Sequence, residues 1–376
     1  MKILVGSWPA YGHLLPMLPL IRAAQRGGHE VVVSSGADLA ELLGRLGIAA
    51  HRSGLTLAES YARLQGPAIS TLPPEEQQMA AARRLFGAGA VDRARDLRPF
   101  VEEWRPDLIV HDTLELGSPT VAVQCGVPHA THGYGPMVPR TAEFAAALGG
   151  AVADAGLPDP VPALFAAPYL DPCPPGLRGT EPNPWTTVVP VRPSPGEADP
   201  SATPAELDGL PHRDTVYATL GTIMNQAPEI LRAILEGCSG LPVNLLLTTG
   251  PGVDPGTLGT LPPAVRTAPF LPQAAVLPHC RAVVSHAGAG TMLGALCHGL
   301  PQLCLPQGTD QPSNTAALLP TGAALALWPG EVTADAVADA LGRLLREPSF
   351  RDAAARLRTE IEAMPTADEA LATISG

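Results

Sequence analysis

A short apolar run, Arg281-Ala282-Val283-Val284-Ser285, leads through the glycine-rich hexapeptide His286-Ala287-Gly288-Ala289-Gly290-Thr291 into a helix-forming stretch from Met292 to His298. No other feature constrains the fold of this chain as strongly. The run reads as a short buried strand, and Leu293, Leu296 and Cys297 recur at spacings that share one helix face. Between them, glycines let backbone amides approach a ligand closely, and the helix start offers unpaired N–H groups with a partial positive charge. That arrangement suits a diphosphate, with His286 adding a side-chain donor at the same end. A glycine-rich turn with no ligand is the alternative reading.

The rest of the chain repeats this strand–helix alternation in two sets, the pattern of parallel sheets. In the first half, Lys2–Val5, Glu30–Ser34, Leu108–Val110 and His129–Thr131 read as strands. His13–Arg26, Asp38–Leu46, Met79–Glu103 and a segment near Thr141–Leu148 read as helices, the first stopped by Gly27-Gly28. The second half brings strands Thr215–Leu220, Asn244–Thr248, Gln302–Leu305 and Ala323–Leu327, with helices Pro228–Cys238 and Gln311–Leu318. Between the halves stand Pro193, Pro195, Pro200, Pro204 and Pro211. Each removes a backbone donor, so this stretch reads as a linker. A length of 376 residues exceeds a typical single core. The expected division is a first domain over 1–192, a linker over 193–213, a second domain over 214–355 and a helical tail over 356–376 that packs back on the first domain. Two doubly wound domains joined this way leave a cleft at the strand carboxyl ends, the expected place of a ligand.

Composition narrows the function. A net charge of −12 argues against nucleic acid or an anionic membrane as partner, since both require a basic surface. The six cysteines, at 125, 173, 238, 280, 297 and 304, show no C-x-x-C spacing and read as reduced core residues. No stretch approaches eighteen apolar residues, and Met1 to Gly6 reads as a first strand, so a soluble cytoplasmic protein is expected. The first strand is followed by Gly6-Ser7-Trp8-Pro9-Ala10-Tyr11-Gly12, where Trp8 and Tyr11 obstruct a dinucleotide pyrophosphate. With no G-x-x-x-x-G-K-[ST] motif either, nicotinamide and ATP chemistry are disfavoured.

Four segments stand in order along nearly the whole chain: Gly12-His13-Leu14-Leu15-Pro16, Thr219-Leu220-Gly221-Thr222, Phe270-Leu271-Pro272-Gln273, and the block from His286 to Gln311. With them the sequence resembles the GT-B glycosyltransferases that decorate bacterial natural products, relatives of the plant UDP-sugar-dependent enzymes. The resemblance implies an α/β fold of two doubly wound, Rossmann-like domains around an interdomain cleft. The first domain then binds the acceptor and the second the nucleotide-sugar donor.

His13 opens a helix whose first turn holds Pro16. Neutral imidazole there can accept the proton of an acceptor hydroxyl, and the resemblance implies this general-base role; capping the helix or touching phosphate are the alternatives. Asp112 follows the strand Leu108-Ile109-Val110-His111 and is the natural partner that orients the ring. Yet Asp112-Thr113-Leu114-Glu115 also fits an acidic capping box; the resemblance implies the pairing.

The resemblance brings Gly221, Thr222, His286, Gly288, Ala289, Gly290 and Thr291 to the diphosphate. It places Phe270 on the base, unless Phe270 is an ordinary core aromatic, with the Leu271 backbone at the base edge and Gln273 in the same donor motif. Asp310 and Gln311 are implied to bind sugar hydroxyls, though Asp310 also suits a cap on the following helix. Plant-type members carry a glutamate for the ribose hydroxyls where this chain has Gly294. One partner fewer for a 2′-OH fits a deoxyribose, hence a TDP-linked deoxysugar, unless Gly294 serves helix packing.

Acceptor contacts are expected from Trp8, Tyr11, His132, Tyr134 and Met137, with His111 and the region Leu55–Gly89 nearby; each also has a structural reading. The expected acceptor is a hydrophobic natural-product aglycone. The reaction these readings imply is inverting transfer to a hydroxyl with no metal and no cofactor beyond the donor, there being no D-x-D pair or histidine–carboxylate cluster. C-glycosylation of an aromatic aglycone, a nucleotide-sugar epimerase and a non-catalytic nucleotide binder are the alternatives. The oligomeric state is left open, a homodimer included.

Overall fold

Alternation of short apolar strands with amphipathic helices produces two parallel sheets in the computed structural model. It describes residues 1–64, 69–72, 74–136, 142–179, 183–196, 204–221, 227–250 and 255–376. The first sheet contains β1 (Lys2–Gly6), β2 (Glu30–Ser35), β3 (Ala49–Arg52), β4 (Leu108–Asp112), β5 (His129–His132), β6 (Tyr169–Asp171) and β7 (Val188–Pro190), in the order β3-β2-β1-β4-β5-β6-β7. The second contains β8 (Asp214–Thr219), β9 (Val243–Thr248), β10 (Val265–Ala268), β11 (Ala282–Ser285), β12 (Gln302–Cys304) and β13 (Ala324–Ala326), in the order β10-β9-β8-β11-β12-β13.

In each sheet the chain winds outward from a central strand, then returns to that strand's other side. The order reverses between β1 and β4 and again between β8 and β11. Loops leaving two adjacent strands at such a point diverge to opposite faces, which opens a crevice at the carboxyl ends. Register fixes which residues reach it: Gly6 stands beside His111 and Thr219 beside Ser285. Residues just after those pairs therefore face the crevice.

The pleat explains the cores. In β1, Ile3 and Val5 join Leu14, Leu20 and Val110 on one face, whereas Leu4 joins Leu97, Ile109 and Val121 on the other. In β11, Ala282 and Val284 share a core with Leu231 and Leu341, and Val283 turns to Leu246 and Leu277. Side chains alternate with period two, and helices cover both faces of each sheet. A further apolar cluster joins Cys173 and Leu177, from the loop after β6, to Met292, Leu296, Leu357 and Ile361. The helix that follows the glycine-rich turn, Ala289–Cys297, is thereby packed against the first sheet's domain.

The helices at the chain end return to the start. Helix Ala367–Ser375 contributes Ala370 and Leu371 to the core of Leu20 and Ile21. The amide of Arg192 donates to the Pro365 carbonyl at 2.7 Å, and its guanidinium reaches the carbonyls of Glu362 and Met364. Among the described residues no helix is long and apolar enough to cross a membrane.

Candidate active site

β1 ends at Gly6, and the chain turns through Ser7 to Ala10 into a short helix, Tyr11–Leu14. Asp112 is the last residue of the adjacent strand β4. The reversal between these strands brings His13 Nδ1 to 3.1 Å from Asp112 Oδ1, with the His13 side chain 15% exposed and that of Asp112 1%. Asp112 also accepts three backbone N–H bonds, from Trp8 at 2.6 Å, Leu114 at 2.9 Å and Glu115 at 3.1 Å. Burial alone would raise its carboxyl; the facing His13 ring and these amides outweigh burial and hold it below its ordinary value. A carboxylate so surrounded stays ionised. With Nδ1 donating to it, the histidine presents Nε2 as its acceptor nitrogen.

Asp112 pairs with His13 and does not cap the next helix. The amides it gathers are those of its own turn. The helix beyond begins only at Gly117, and there Glu115 accepts the amides of Gly117 at 2.8 Å and Ser118 at 3.1 Å. Glu115 is buried against Arg93 at 3.2 Å, a pair the sequence reading missed.

Aromatic rings surround the imidazole. Tyr134 lies with its ring centroid 4.8 Å from that of His13, and Phe86 at 6.3 Å; Trp8 meets Phe86 edge-on at 5.0 Å. Burial, with the carboxylates of Asp310 and Asp112 nearby, pushes the Tyr134 phenol well above its ordinary range. It therefore remains a neutral hydroxyl.

In the second domain, Gly221 and Gly288 enclose the His286 ring. A Cβ on Gly221 would stand 2.7 Å from that ring, and one on Gly288 2.4 Å from its Nε2. Only glycine fits at either place. Burial holds His286 below the ordinary histidine value against the pull of the Asp310 carboxylate. Helix Ala289–Cys297 starts here; its Ala289 amide donates to Asp310 Oδ2 at 3.4 Å, and Gly290 and Thr291 of the same first turn line the cleft, an end of the helix suited to an anion.

Two non-glycine residues adopt the left-handed conformation beside this turn, Ala287 at φ 61° and Thr309 at φ 59°. Such backbones cost about 1–3 kcal/mol and persist only where the surroundings fix them. Asn314, fully buried, does much of the fixing. Its Nδ2 donates to the Ala287 carbonyl at 2.9 Å and to Asp310 Oδ2 at 2.7 Å. Asp310 further accepts from the Thr309 hydroxyl at 3.0 Å. Gln311 is buried; its Oε1 accepts the amides of Gln307 at 2.7 Å and Gly308 at 3.2 Å, and its Nε2 donates to the Thr309 hydroxyl. Gln273 donates to the Thr291 hydroxyl at 2.8 Å.

One cleft of about 1400 Å³ receives both sets. The first domain lines it with Trp8, Tyr11, His13, Phe86 and Tyr134; the second with Gly221, Phe270, Gln273, His286, Gly288, Ala289, Gly290, Thr291, Asp310 and Gln311. Phe270 is 59% exposed, which removes the core-aromatic reading. Two expectations need correction. His132 is fully buried, its Nδ1 bonded to the Gly133 carbonyl, and it does not line the cleft. His111 is likewise buried, against His129 at 3.3 Å. The Leu271 side chain sits in the core with Tyr217 and Val276, so only its backbone is available. Thr222 and Met137 lie outside the described residues. Asn314, which the sequence reading missed, had one usable signal: it falls four residues after Asp310, on the same helix face. Among the described residues no three of His, Cys, Asp or Glu are grouped to hold a metal ion.

Residues 22–178 and 244–375 match the N-terminal and C-terminal domains of a family described as erythromycin biosynthesis protein CIII-like. The elloramycin glycosyltransferase ElmGT of Streptomyces olivaceus is 32% identical, over 97% of this chain and 94% of that protein. The L-demethylnoviosyl transferase of Streptomyces niveus is also 32% identical, over 87% of this chain and 85% of that protein. Among solved structures, the spinosyn rhamnosyltransferase SpnG aligns with a TM-score of 0.82 at 25% identity, covering 100% of this chain and 99% of its own. The glycosyltransferase VinC, solved in complex with dTDP, aligns with a TM-score of 0.79 at 25% identity and the same coverage.

Proposed function

Since the chain belongs to the erythromycin biosynthesis protein CIII-like glycosyltransferases, we propose that it moves a deoxysugar from a TDP-linked donor to a hydroxyl of a natural-product aglycone. One observation carries this reading: the His13–Asp112 pair of one domain and the glycine cradle of the other open on the same cleft.

The proposed reaction is a single displacement with inversion. The acceptor oxygen attacks the anomeric carbon as its bond to the diphosphate oxygen breaks, and the hydroxyl proton passes to His13 Nε2. Asp112 stabilises the imidazolium so formed. The leaving diphosphate gathers charge beside His286 and the Gly290–Thr291 turn at the start of helix Ala289–Cys297, so no metal is needed in this scheme. Closure of the domains excludes the water that would otherwise hydrolyse the donor.

The TDP assignment draws on Gly294. A Cβ there would meet Leu277 at 3.4 Å and Gln273 Oε1 at 3.5 Å, ordinary contact distances. Packing does not demand a glycine, which favours the ribose explanation for its lack of a carboxylate. VinC, similar throughout its length, was solved with dTDP bound.

The test is incubation of TDP-deoxysugars with an aglycone panel, read by product mass. His13→Ala should abolish transfer and leave TDP affinity nearly unchanged. Turnover at the wild-type rate by that variant removes His13 from the mechanism. A donor altered without any acceptor points instead to an epimerase, and a product stable to acid hydrolysis to a C-glycoside.

A further inference from the structure

The second domain presents its site residues in the order of its strands. From one edge of the sheet to the other, Phe270 follows β10, Gly221 follows β8, His286 follows β11, Asp310 lies in the loop after β12, and Trp328 follows β13. Neighbouring strands lie about 4.8 Å apart, so a ligand extended along this row meets the residues in sequence. If the base rests at Phe270 and the diphosphate between Gly221 and His286, the sugar reaches the loop of Asp310. Trp328 is the next residue along. The parallel pairing sets Cys304 beside Ala326 and continues with the Leu327 amide on the Cys304 carbonyl, which brings Trp328 level with Pro306 at the root of the Asp310 loop.

Trp328 is 38% exposed, although tryptophan is costly to leave in water. Its exposure is not part of a general pattern. Tyr11, Leu15, Tyr61, Phe270 and Trp328 all line the cleft, and the other large apolar residues exposed to this degree are Met1 and Val123 alone among those described. Nor is Trp328 a loose loop residue. Its amide donates to Glu331 Oε2 at 2.8 Å and its carbonyl accepts from the Glu331 amide at 2.9 Å, closing a tight turn. A residue with a fixed backbone thus lines the cleft at the end of the donor row.

We propose that Trp328 is a specificity-determining residue for the transferred sugar, its ring forming a platform for the apolar face of a deoxygenated hexose while Asp310 takes the hydroxyls on the other side. This rests on the donor assignment made above. Each hydroxyl replaced by hydrogen, and a 6-methyl in place of a hydroxymethyl, enlarges the surface an indole covers and lowers the desolvation cost. The ring therefore favours deoxysugars over fully hydroxylated ones.

The experiment is calorimetric titration of TDP, a TDP-6-deoxyhexose and TDP-glucose into wild type, Trp328→Ala and Trp328→Phe. Loss of the platform should weaken the TDP-deoxyhexose about tenfold, weaken TDP-glucose less, and leave TDP itself within about twofold. Trp328→Phe should retain most of the deoxyhexose affinity. Equal weakening of all three ligands, or none, overturns the proposal. Wild type that fails to bind TDP at all overturns the donor assignment as well, which separates the two failures.

Discussion

Asp112→Asn separates the two tasks the structure gives this carboxylate. Oδ2 accepts from the Trp8 amide, and Oδ1 accepts from His13 and the amides of Leu114 and Glu115. An asparagine must turn its NH₂ toward one of these groups of donors. Facing Trp8 leaves one buried amide without an acceptor; facing His13 leaves two and also forces the wrong tautomer. The first orientation is favoured, at a cost of about 1–3 kcal/mol. At roughly 2–4 °C per kcal/mol for a domain of this size, the melting temperature should fall by roughly 2–12 °C. The rate should fall further. A buried carboxylate near 4 Å from an imidazolium is worth about 4 kcal/mol at an effective dielectric constant of 20, or about 10³ in kcat. The assay is steady-state transfer at saturating donor and acceptor, beside a thermal melt. The reasoning predicts a large loss in kcat, little change in either KM and a modest loss in Tm. If kcat stays within about tenfold of wild type while Tm drops as stated, Asp112 only anchors its turn and the charge argument is refuted.

Other perturbations reach different parts of the site. Gly288→Ala keeps an allowed backbone but drives a methyl into His286; donor KM should rise at least about tenfold with stability lowered by no more than the ~1–3 kcal/mol of local overpacking, and unchanged donor KM would dismiss the cradle. Burial holds His111 and His132 down at about 4 and His129 at about 3, against an ordinary 6.5. These rings stay neutral in the fold while the unfolded chain takes up protons below 6.5, so stability is full above that value and falls with pH toward 4. From pH 7 to 5.5 the loss is about 4 kcal/mol at most, since His111 and His129 titrate as a pair; the melting temperature should drop by up to roughly 8–15 °C, and a flat profile would contradict the burial of these rings.

How much of this was legible in sequence depended on signal length. The central strands β1, β4, β8 and β11 carry apolar runs between turn signals, and their positions were readable to within a residue or two. β3 was not, because it is an edge strand whose Ala49, Ala50 and Arg52 are exposed, so no apolar pattern marks it. β6 and β7 are three residues each and bounded by prolines, at Pro168 and Pro172 and at Pro190, so they read as turns rather than strands. The expected helix His13–Arg26 is interrupted over Leu15–Met17 by a 3₁₀ turn; Pro16 and Pro19 lack the amides that a continuous ladder needs. The stretch expected from Met79 begins at Pro74 and passes through a π-helical segment, Ala81–Gly87, before resuming to Trp104. That widened turn carries Phe86 toward His13, and no local composition announces it.

The glycines of the site illustrate a different limit. Sequence reasoning read Gly221 and Gly288 as leaving room for a ligand, yet the atoms that most tightly exclude a side chain there belong to His286. The histidine proposed to meet the diphosphate is thus itself held by the glycines around it. The same holds for the loops: Asn314 bonds both the Ala287 carbonyl and Asp310, so the glycine-rich turn and the Asp310 loop are tied to one another. Against that pair sits Gly135 of the first domain, where a Cβ would come within 2.6 Å of Ala289. The chain reaches Gly135 directly from Tyr134, whose ring rests on His13. One continuous set of contacts therefore runs from His13 through Tyr134 and Gly135 to Ala289, Asp310 and Asn314. Binding of the donor and placement of the imidazole depend on the same interdomain fit, so a change at this joint should alter kcat and donor KM together.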